Sequence, residues 1–276
     1  MQPDHPRRRR AALVGVGLAV VVLAAACRPV PPPPPPPPPL GTVYTGPGFD
    51  ACDAPSTATT SAWLTSPYRA IGIYTGGGNR TCYAQPNLNA AWVQAVRTQG
   101  WKLIPIYVGL QAPCTTAWGV ATIDPGLEYA EGVAAANDAV AKQSALGIGG
   151  GTPVYYDMEH YNADATCRGT VRQFMNGWIA QLHNLGFLAG IYSSASSGIA
   201  DMSNAIGNPS YYLPDEIWFA HWNGDPSTNE PNQAWLPNST WTNHQRTHQY
   251  LGGHNEVFGG VTINVDNNYL DGAVVG

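Results

Sequence analysis

Charged residues are scarce in this sequence. Its 13 lysines and arginines and 18 aspartates and glutamates make up 11% of the 276 residues, less than half of the usual share of about 25%. With 44% hydrophobic residues, the chain can bury a sizeable core, which excludes a charge-rich disordered protein. After residue 40, eight basic residues stand against 17 acids, a net charge of −9. We therefore expect no nucleic acid or other polyanion as partner, and neutral or amphipathic ligands fit better.

A hydrophobic run of bilayer-spanning length is also missing. The longest apolar run, residues 11–26, has sixteen residues, whereas a transmembrane helix needs roughly 18 to 20. The run follows four arginines and ends in small residues before Cys27, which is the pattern of an export signal. We predict a signal peptide over residues 1–26 and a protein exported to the cell surface or beyond. LAAAC resembles a bacterial lipobox, so we expect lipidation of Cys27; an uncleaved membrane anchor is the alternative.

Nine consecutive prolines run from Pro31 to Pro39. Such a run adopts polyproline II, which rises about 3.1 Å per residue. We interpret residues 27–40 as a stiff linker that holds the domain over residues 41–276 roughly 28 Å from the anchored cysteine. A ligand for a proline-reading domain is the other interpretation.

Cysteine is rare after the linker, where only four residues of this type remain. An even number in an exported protein predicts two disulfides. Of the three possible pairings we favour Cys52 with Cys82 and Cys114 with Cys167, because neighbouring loops would then meet. A zinc site is the competing hypothesis, but the CxxC spacing is absent.

Short β-rich runs alternate with longer helical patterns from residue 41 onward. Strand-like runs occupy residues 46–51, 70–77, 102–109, 152–159, 187–194, 216–222, 248–252 and 261–270. Helices are predicted at 87–100, 124–147 and 168–186, each closed by glycine. This order is typical of an α/β fold, a (β/α)8 TIM-type barrel whose last units have short or missing helices. An open doubly wound sheet is the alternative, although no glycine-rich phosphate motif opens a helix.

Acidic residues end several predicted strands, and in such barrels function gathers at the carboxyl ends of the strands. Asp157 and Glu159 are two residues apart, so both side chains are expected in the barrel mouth. A carboxyl pair can divide the roles of proton donor and charged stabiliser, as glycoside hydrolysis requires. Capping of nearby backbone amides would give the same spacing. Asp50 and Asp266 stand in the first and last strands and complete the set of candidate catalytic acids.

Further side chains near the strand ends are candidates for substrate binding, since aromatic rings stack on sugars. About half of such rings must instead face the helices, because alternate strand residues point to opposite sides. The candidates are Tyr74, Tyr107, Tyr192, His221, Trp222, Gln249 and Tyr250. His244 and His248 have HxxxH spacing, which raises a metal-dependent deacetylase as a hypothesis, but on a strand this spacing does not form a compact ligand pair. We expect neither a metal nor a cofactor.

Six motifs carry a family resemblance: GFDACDAPS (48–56), YYDMEHY (155–161), AGIYSS (189–194), IWFAHW (217–222), HQY (248–250) and NVDNNYL (264–270). Through them the chain resembles glycoside-hydrolase-like domains of exported actinobacterial proteins, a TIM-barrel family similar to family 25 lysozymes. The resemblance implies that Glu159 is the general acid and that Asp157 stabilises the transition state or orients a substrate acetamido group. Asp50 and Asp266 match supporting acids. HQY replaces the WQY of the lysozymes, and Trp222 stands where they usually have tyrosine.

Together these features predict an exported, monomeric glycoside hydrolase that acts on a cell-envelope polysaccharide such as peptidoglycan. A lipid at Cys27 or an uncleaved signal would tether it to the membrane. The alternative is a carbohydrate-binding lipoprotein that has the same barrel but does not turn over its ligand.

Overall fold

A closed eight-stranded barrel forms the body of the protein. The computed structural model describes residues 33–162 and 164–276, so the predicted signal peptide and Cys27 lie outside the described residues. The strands are β1 (Thr42–Asp50), β2 (Ala70–Gly76), β3 (Lys102–Tyr107), β4 (Pro153–Asp157), β5 (Leu188–Ser194), β6 (Glu216–Ala220), β7 (Gln245–Phe258) and β8 (Val261–Val274). They follow one another in chain order, and β8 closes on β1. The predicted TIM-type barrel is confirmed.

The closing strand runs against its neighbours. Strands β1 to β7 are parallel, whereas β8 is antiparallel to both β7 and β1. The sequence predicts parallel βα units throughout, so the direction of β8 is a correction. Gly259 and Gly260 join β7 to β8 with positive φ angles of 56° and 77°, which glycine adopts without a steric penalty. This tight turn leaves no room for a helix between the two strands.

Helices surround the first half of the barrel. The described residues form α1 (Thr57–Ala62), α2 (Ala90–Thr98), α3 (Glu128–Ala145), α4 (Ala165–Asn184) and, after a π-helical turn, α5 (Ala200–Ser203). Helix α4 begins before its predicted start because Asp164 accepts a hydrogen bond from the Cys167 main-chain N–H (2.8 Å) as N-cap. Helix α1 was not predicted, since six residues are too few to show a helical period. None of the helices in the described ranges is long and apolar enough to cross a membrane.

The strands separate two apolar cores. Inside the barrel, a buried cluster includes Ile104, Ile106, Tyr155, Trp218 and Leu270. Outside it, Tyr156 packs against Phe174 and Trp178 of α4, with ring centroids 4.8 and 5.0 Å apart. Adjacent residues of one strand thus serve different cores, as the two-residue period of a strand requires.

The polyproline run contacts the barrel at the end where the strands begin. Nδ1 of His183, at the end of α4, lies 2.7 Å from the Pro35 main-chain oxygen, and Nε2 lies 2.8 Å from Oδ2 of Asp215. Burial lowers the pKa of His183, but the hydrogen bonds to Asp215 and Pro35 raise it, and the net shift is upward. Pro35 therefore lies against the barrel, and the spacer length between Cys27 and the barrel stays a prediction.

Candidate active site

A cavity of about 630 Å³ opens at the carboxyl ends of the strands, and all four predicted acids line it. Asp50 ends β1, Asp157 ends β4, and Glu159 follows two residues later. Asp266 reaches the same mouth although it lies in the middle of β8, because this antiparallel strand pairs it with Asp50. The structure thus brings the residues predicted as catalytic into one cavity.

Asp50 is buried and surrounded by hydrogen-bond donors. Its Oδ1 accepts a hydrogen bond from the Tyr74 hydroxyl (3.0 Å). Its Oδ2 accepts from Gln249 Nε2 (3.1 Å) and Asn268 Nδ2 (2.8 Å). Burial and the charge of Asp266 raise the pKa of Asp50 to about 7, while the three hydrogen bonds lower it. Asp50 is therefore about half protonated near neutral pH.

Asp157 and Glu159 form the second group of interacting acids. The pKa of Asp157 is raised well above its usual value, first by burial and then by Glu159 and Asp50. The pKa of Glu159 is also raised, mainly by burial, although a hydrogen bond from Asp157 lowers it. The proton of the pair therefore resides on Asp157 in the free site. Oδ1 of Asp157 is buried without a hydrogen-bond partner among the described residues, so it is available to a polar group of a ligand.

Gln111 fixes the main chain of this acid pair. Its side chain is buried in the loop after β3. Nε2 donates a hydrogen bond to the Asp157 main-chain oxygen (2.9 Å), and Oε1 accepts one from the Glu159 main-chain N–H (2.8 Å). Gln111 was not predicted from the sequence, because it lies beyond the end of an apolar run, in a loop without hydrophobic periodicity.

Gln249 connects the acids to the aromatic residues. While its Nε2 binds Asp50, its Oε1 accepts hydrogen bonds from the Tyr192 hydroxyl (2.9 Å) and from Trp222 Nε1 (3.0 Å). Three of the predicted substrate-binding residues thus form one hydrogen-bonded unit with a predicted catalytic acid.

A second cavity, of about 360 Å³, adjoins the first. Its lining includes Glu159, His160, Tyr192, His221, Trp222 and Trp235, and the first two of these line both cavities. Trp222 is 64% exposed, yet its Nε1 is held by Gln249. The Trp222 ring lies against Gly252, where a Cβ atom would come within 2.6 Å of the indole. An exposed ring held in a fixed position is suited to stacking on a sugar.

Glu230 orients His221 at the edge of this second cavity. Glu230 is fully buried, and its two carboxylate oxygens lie 3.0 and 2.9 Å from Nδ1 of His221. The carboxylate of Glu230 binds Nδ1 and so holds the imidazole ring in one orientation, with Nε2 as the other ring nitrogen. Sequence reasoning found His221 but missed Glu230, which lies in a long loop between β6 and β7 without strand or helix pattern.

Besides Gln249, which is buried behind the two cavities and acts through the hydrogen bonds described above, two predicted substrate-binding residues line neither cavity, which is a correction. The Tyr107 hydroxyl donates a hydrogen bond to Asp138 Oδ2 (3.0 Å) of α3, and its ring packs against Trp178 of α4. The Tyr250 ring packs edge-on against His248, with ring centroids 6.1 Å apart, and lines neither cavity. Both side chains take positions that face away from the mouth, because neighbouring residues of a strand alternate between its two faces.

The histidines of the HxxxH motif face different partners. The ring nitrogens of His248 lie 2.6 and 2.8 Å from the main-chain oxygens of Ser227 and His221. Nδ1 of His244 lies 2.7 Å from Asp271 Oδ1. Among the residues that the structure describes, no group of three or more histidine, cysteine or acidic side chains could hold a metal ion. The deacetylase hypothesis has no support in this geometry.

Two disulfides tie the loops around the mouth. Cys52 pairs with Cys82 and Cys114 with Cys167, at Cα–Cα distances of 5.6 and 6.0 Å, so the favoured pairing is confirmed. The first disulfide joins the loops after β1 and β2, and both of its cysteines line the main cavity. The second joins the loop after β3 to the first turn of α4.

A TIM-type barrel with an acid-lined mouth defines the class of glycoside-hydrolase-like barrels. A model of the family described as Rv2525c-like, glycoside hydrolase-like domain matches residues 61–270, and the chain belongs to this family. Comparison with curated proteins gives no match.

Solved structures share the fold at low sequence identity. The Tat-secreted protein Rv2525c of Mycobacterium tuberculosis, in complex with L-tartrate, is 15% identical with a TM-score of 0.58, over 84% of this chain and 99% of that one. An uncharacterized B. stearothermophilus protein is 20% identical with a TM-score of 0.53, over 81% and 95%. The modular autolysin LytC from Streptococcus pneumoniae, in complex with a synthetic peptidoglycan ligand, is 12% identical with a TM-score of 0.50, over 83% and 47%.

Proposed function

We propose that this protein hydrolyses glycosidic bonds in a cell-envelope glycan such as peptidoglycan, with Glu159 as general acid. The acid pair carries the proposal: Asp157 and Glu159 have raised pKa values and hold a proton in a cavity that contains two further acids. Such a group can protonate the leaving oxygen of a glycosidic bond. The peptidoglycan ligand of LytC supports the substrate class.

The two members of the pair have different roles. Glu159 is the more exposed member of the pair, although the cavity walls still desolvate its carboxyl group, whereas Asp157 is buried. Glu159 is therefore the member that meets the glycosidic oxygen. The side chain of Asp157 interacts directly with that of Glu159. Asp157 therefore supplies a proton to Glu159 and orients a substrate acetamido group through its unpartnered Oδ1. The opposing negative charge comes from Asp50, from Asp266 or from the acetamido oxygen itself.

The glycan lies across Glu159 and occupies both cavities. Glu159 and His160 line the main cavity and the second one, so the bond that is cleaved sits at their boundary. Trp222 stacks on the sugar in the second cavity, and His221 forms a hydrogen bond with one of its hydroxyls. Tyr192 and Gln249 hold this wall in place, and Tyr74 belongs to the main cavity beside Asp50.

The protein acts outside the cytoplasm as a monomer. The signal over residues 1–26 directs export, and the lipid at Cys27 or an uncleaved signal keeps the barrel at the membrane. Two disulfides in the barrel and the Tat-secreted character of Rv2525c support export.

The second candidate function is glycan binding without turnover. The position of the proton favours it, because Asp157 holds the proton in the free site while Glu159 accepts a hydrogen bond. We would screen the purified chain against defined envelope polymers and detect products by mass. Shorter fragments support the hydrolase; tight binding without fragments after long incubation supports the binding protein.

A further inference from the structure

Arg80 lies on the wall of the acid cavity, and it is the single lysine or arginine among the described residues that line this cavity. It belongs to the loop after β2, two residues before Cys82. The disulfide between Cys82 and Cys52 ties this loop to the end of β1. The main chain that carries Arg80 is therefore held at the mouth by a covalent link.

The guanidinium group of Arg80 is fixed by neutral partners. Nη1 donates a hydrogen bond to the Tyr74 main-chain oxygen (2.9 Å), and Nε donates one to the Gly77 oxygen (3.3 Å). The group also packs over the Tyr83 ring, 5.3 Å from its centroid. These bonds use two of the five N–H donors of an arginine. The other donors have no partner within the described part of the chain, and no salt bridge joins Arg80 to a described acid.

Three other cations of the described barrel form salt bridges, whereas Arg69, Arg97, Lys102 and Arg246 form none with the described acids and do not line the cavity. Lys142 lies 3.7 Å from Asp138, and Arg168 and Arg172 contact Asp201. Arg80 differs from these residues because it presents its charge to a cavity without an acidic partner. A planar, pre-positioned guanidinium is the group that best recognises a carboxylate.

The acidic residues of the cavity influence which ligands Arg80 can bind. Four acids line the same space, and those that are ionised repel a ligand carboxylate, whereas Arg80 attracts it. We propose that Arg80 binds a carboxylate carried by the sugar chain, so that the protein prefers a glycan with an acidic sugar over its neutral counterpart. This assignment rests on the proposed glycan-binding function of the cavity and adds the substrate class.

Binding to matched ligands tests this assignment. The full chain carrying Glu159→Gln, which removes the proposed acid, is titrated calorimetrically with two carboxylate disaccharides, N-acetylglucosamine linked to N-acetylmuramic acid and N-acetylglucosamine linked to glucuronic acid. The carboxamide of each disaccharide is the matched neutral ligand. Each titration is repeated with Arg80→Gln, with Arg80→Lys, and with Lys142→Gln as a control that removes a cation outside the cavity.

We expect Arg80→Gln to weaken binding of at least one carboxylate disaccharide by about 10- to 100-fold, and of its carboxamide by less than about twofold. Arg80→Lys should retain part of the preference, and Lys142→Gln should leave it unchanged. Three results would overturn the assignment. Arg80→Gln could weaken binding of the carboxylate and the carboxamide equally, the chain with Arg80 intact could bind the two ligands with equal affinity, or it could bind neither carboxylate disaccharide. Carboxylate-selective binding together with no hydrolysis by the wild-type chain would overturn the hydrolase proposal alone.

Discussion

Asp50 and Asp266 face each other as register partners in the antiparallel ladder between β1 and β8. Two acids at directly opposed positions repel each other when both are ionised. Because Asp50 is also buried, its pKa rises to about 7. The direction of the closing strand thus adds to the effect of burial and helps to raise the pKa of a carboxyl group at the bottom of the mouth.

The stability of the barrel should decrease as the pH rises from about 4 to about 7. Between the usual pKa of 3.8 and the raised value of about 7, folded Asp50 binds more protons than unfolded Asp50. Its contribution to stability is complete below the lower value and is lost as the pH approaches the higher one. One such group changes the free energy of unfolding by about 1.4 kcal/mol per pH unit.

Urea unfolding at several pH values measures this dependence in the wild type and in Asp50→Asn. The asparagine amide can donate to Tyr74 while its oxygen accepts from Gln249 and Asn268, so the fold should persist. We expect a shallower decline of stability in the variant between pH 4 and 7. The same decline in both proteins would show that Asp50 does not carry the raised pKa.

Gly252→Ala should impair glycan binding without unfolding the barrel. The added Cβ would lie 2.6 Å from the Trp222 ring, so the ring must leave the position in which Gln249 holds it. We expect an affinity loss of about tenfold, the equivalent of about 1.4 kcal/mol, in titrations with envelope oligosaccharides. Gly149→Ala is the matched control, because a Cβ there meets no atom within 4 Å. Unchanged affinity in Gly252→Ala would remove Trp222 from the binding surface.

Each disulfide should contribute substantially to stability. The bonds Cys52–Cys82 and Cys114–Cys167 close segments with sequence separations of 30 and 53, for which the chain-entropy model gives about 4 kcal/mol each. The two double serine variants are compared by denaturant unfolding. The first variant should also lose glycan affinity, because its cysteines line the main cavity. A cost below about 1 kcal/mol for both variants would contradict a stabilising role.

Sequence-based prediction works best for features that depend on a short stretch of chain. Asp157 and Glu159 are predictable because they follow an apolar run at the two-residue period of a strand. The direction of β8 is not predictable in this way, since that period is the same in parallel and antiparallel strands. Asp266 was placed at the mouth, but it arrives there through the antiparallel pairing with Asp50.

Features that depend on contacts distant in sequence escape such reasoning. All but the first residue of β3 are buried, so its sequence does not show which face points into the barrel, and Tyr107 was assigned to the wrong one. Gln111 and Glu230 lie in loops whose positions are set by the elements they contact. The proposed role of Arg80 could not be predicted from the sequence, because it depends on acids and a disulfide that only the fold brings around it.

Release of reducing ends from isolated cell-wall glycan tests the central claim most directly. The wild-type chain, Glu159→Gln and the control Glu131→Gln, which changes an acid on α3 outside the main cavity, are compared at equal concentration. The account predicts release by the wild type and the control, a loss of at least about 100-fold in Glu159→Gln, and unchanged melting temperatures. Equal release by Glu159→Gln and the wild type would contradict Glu159 as the general acid.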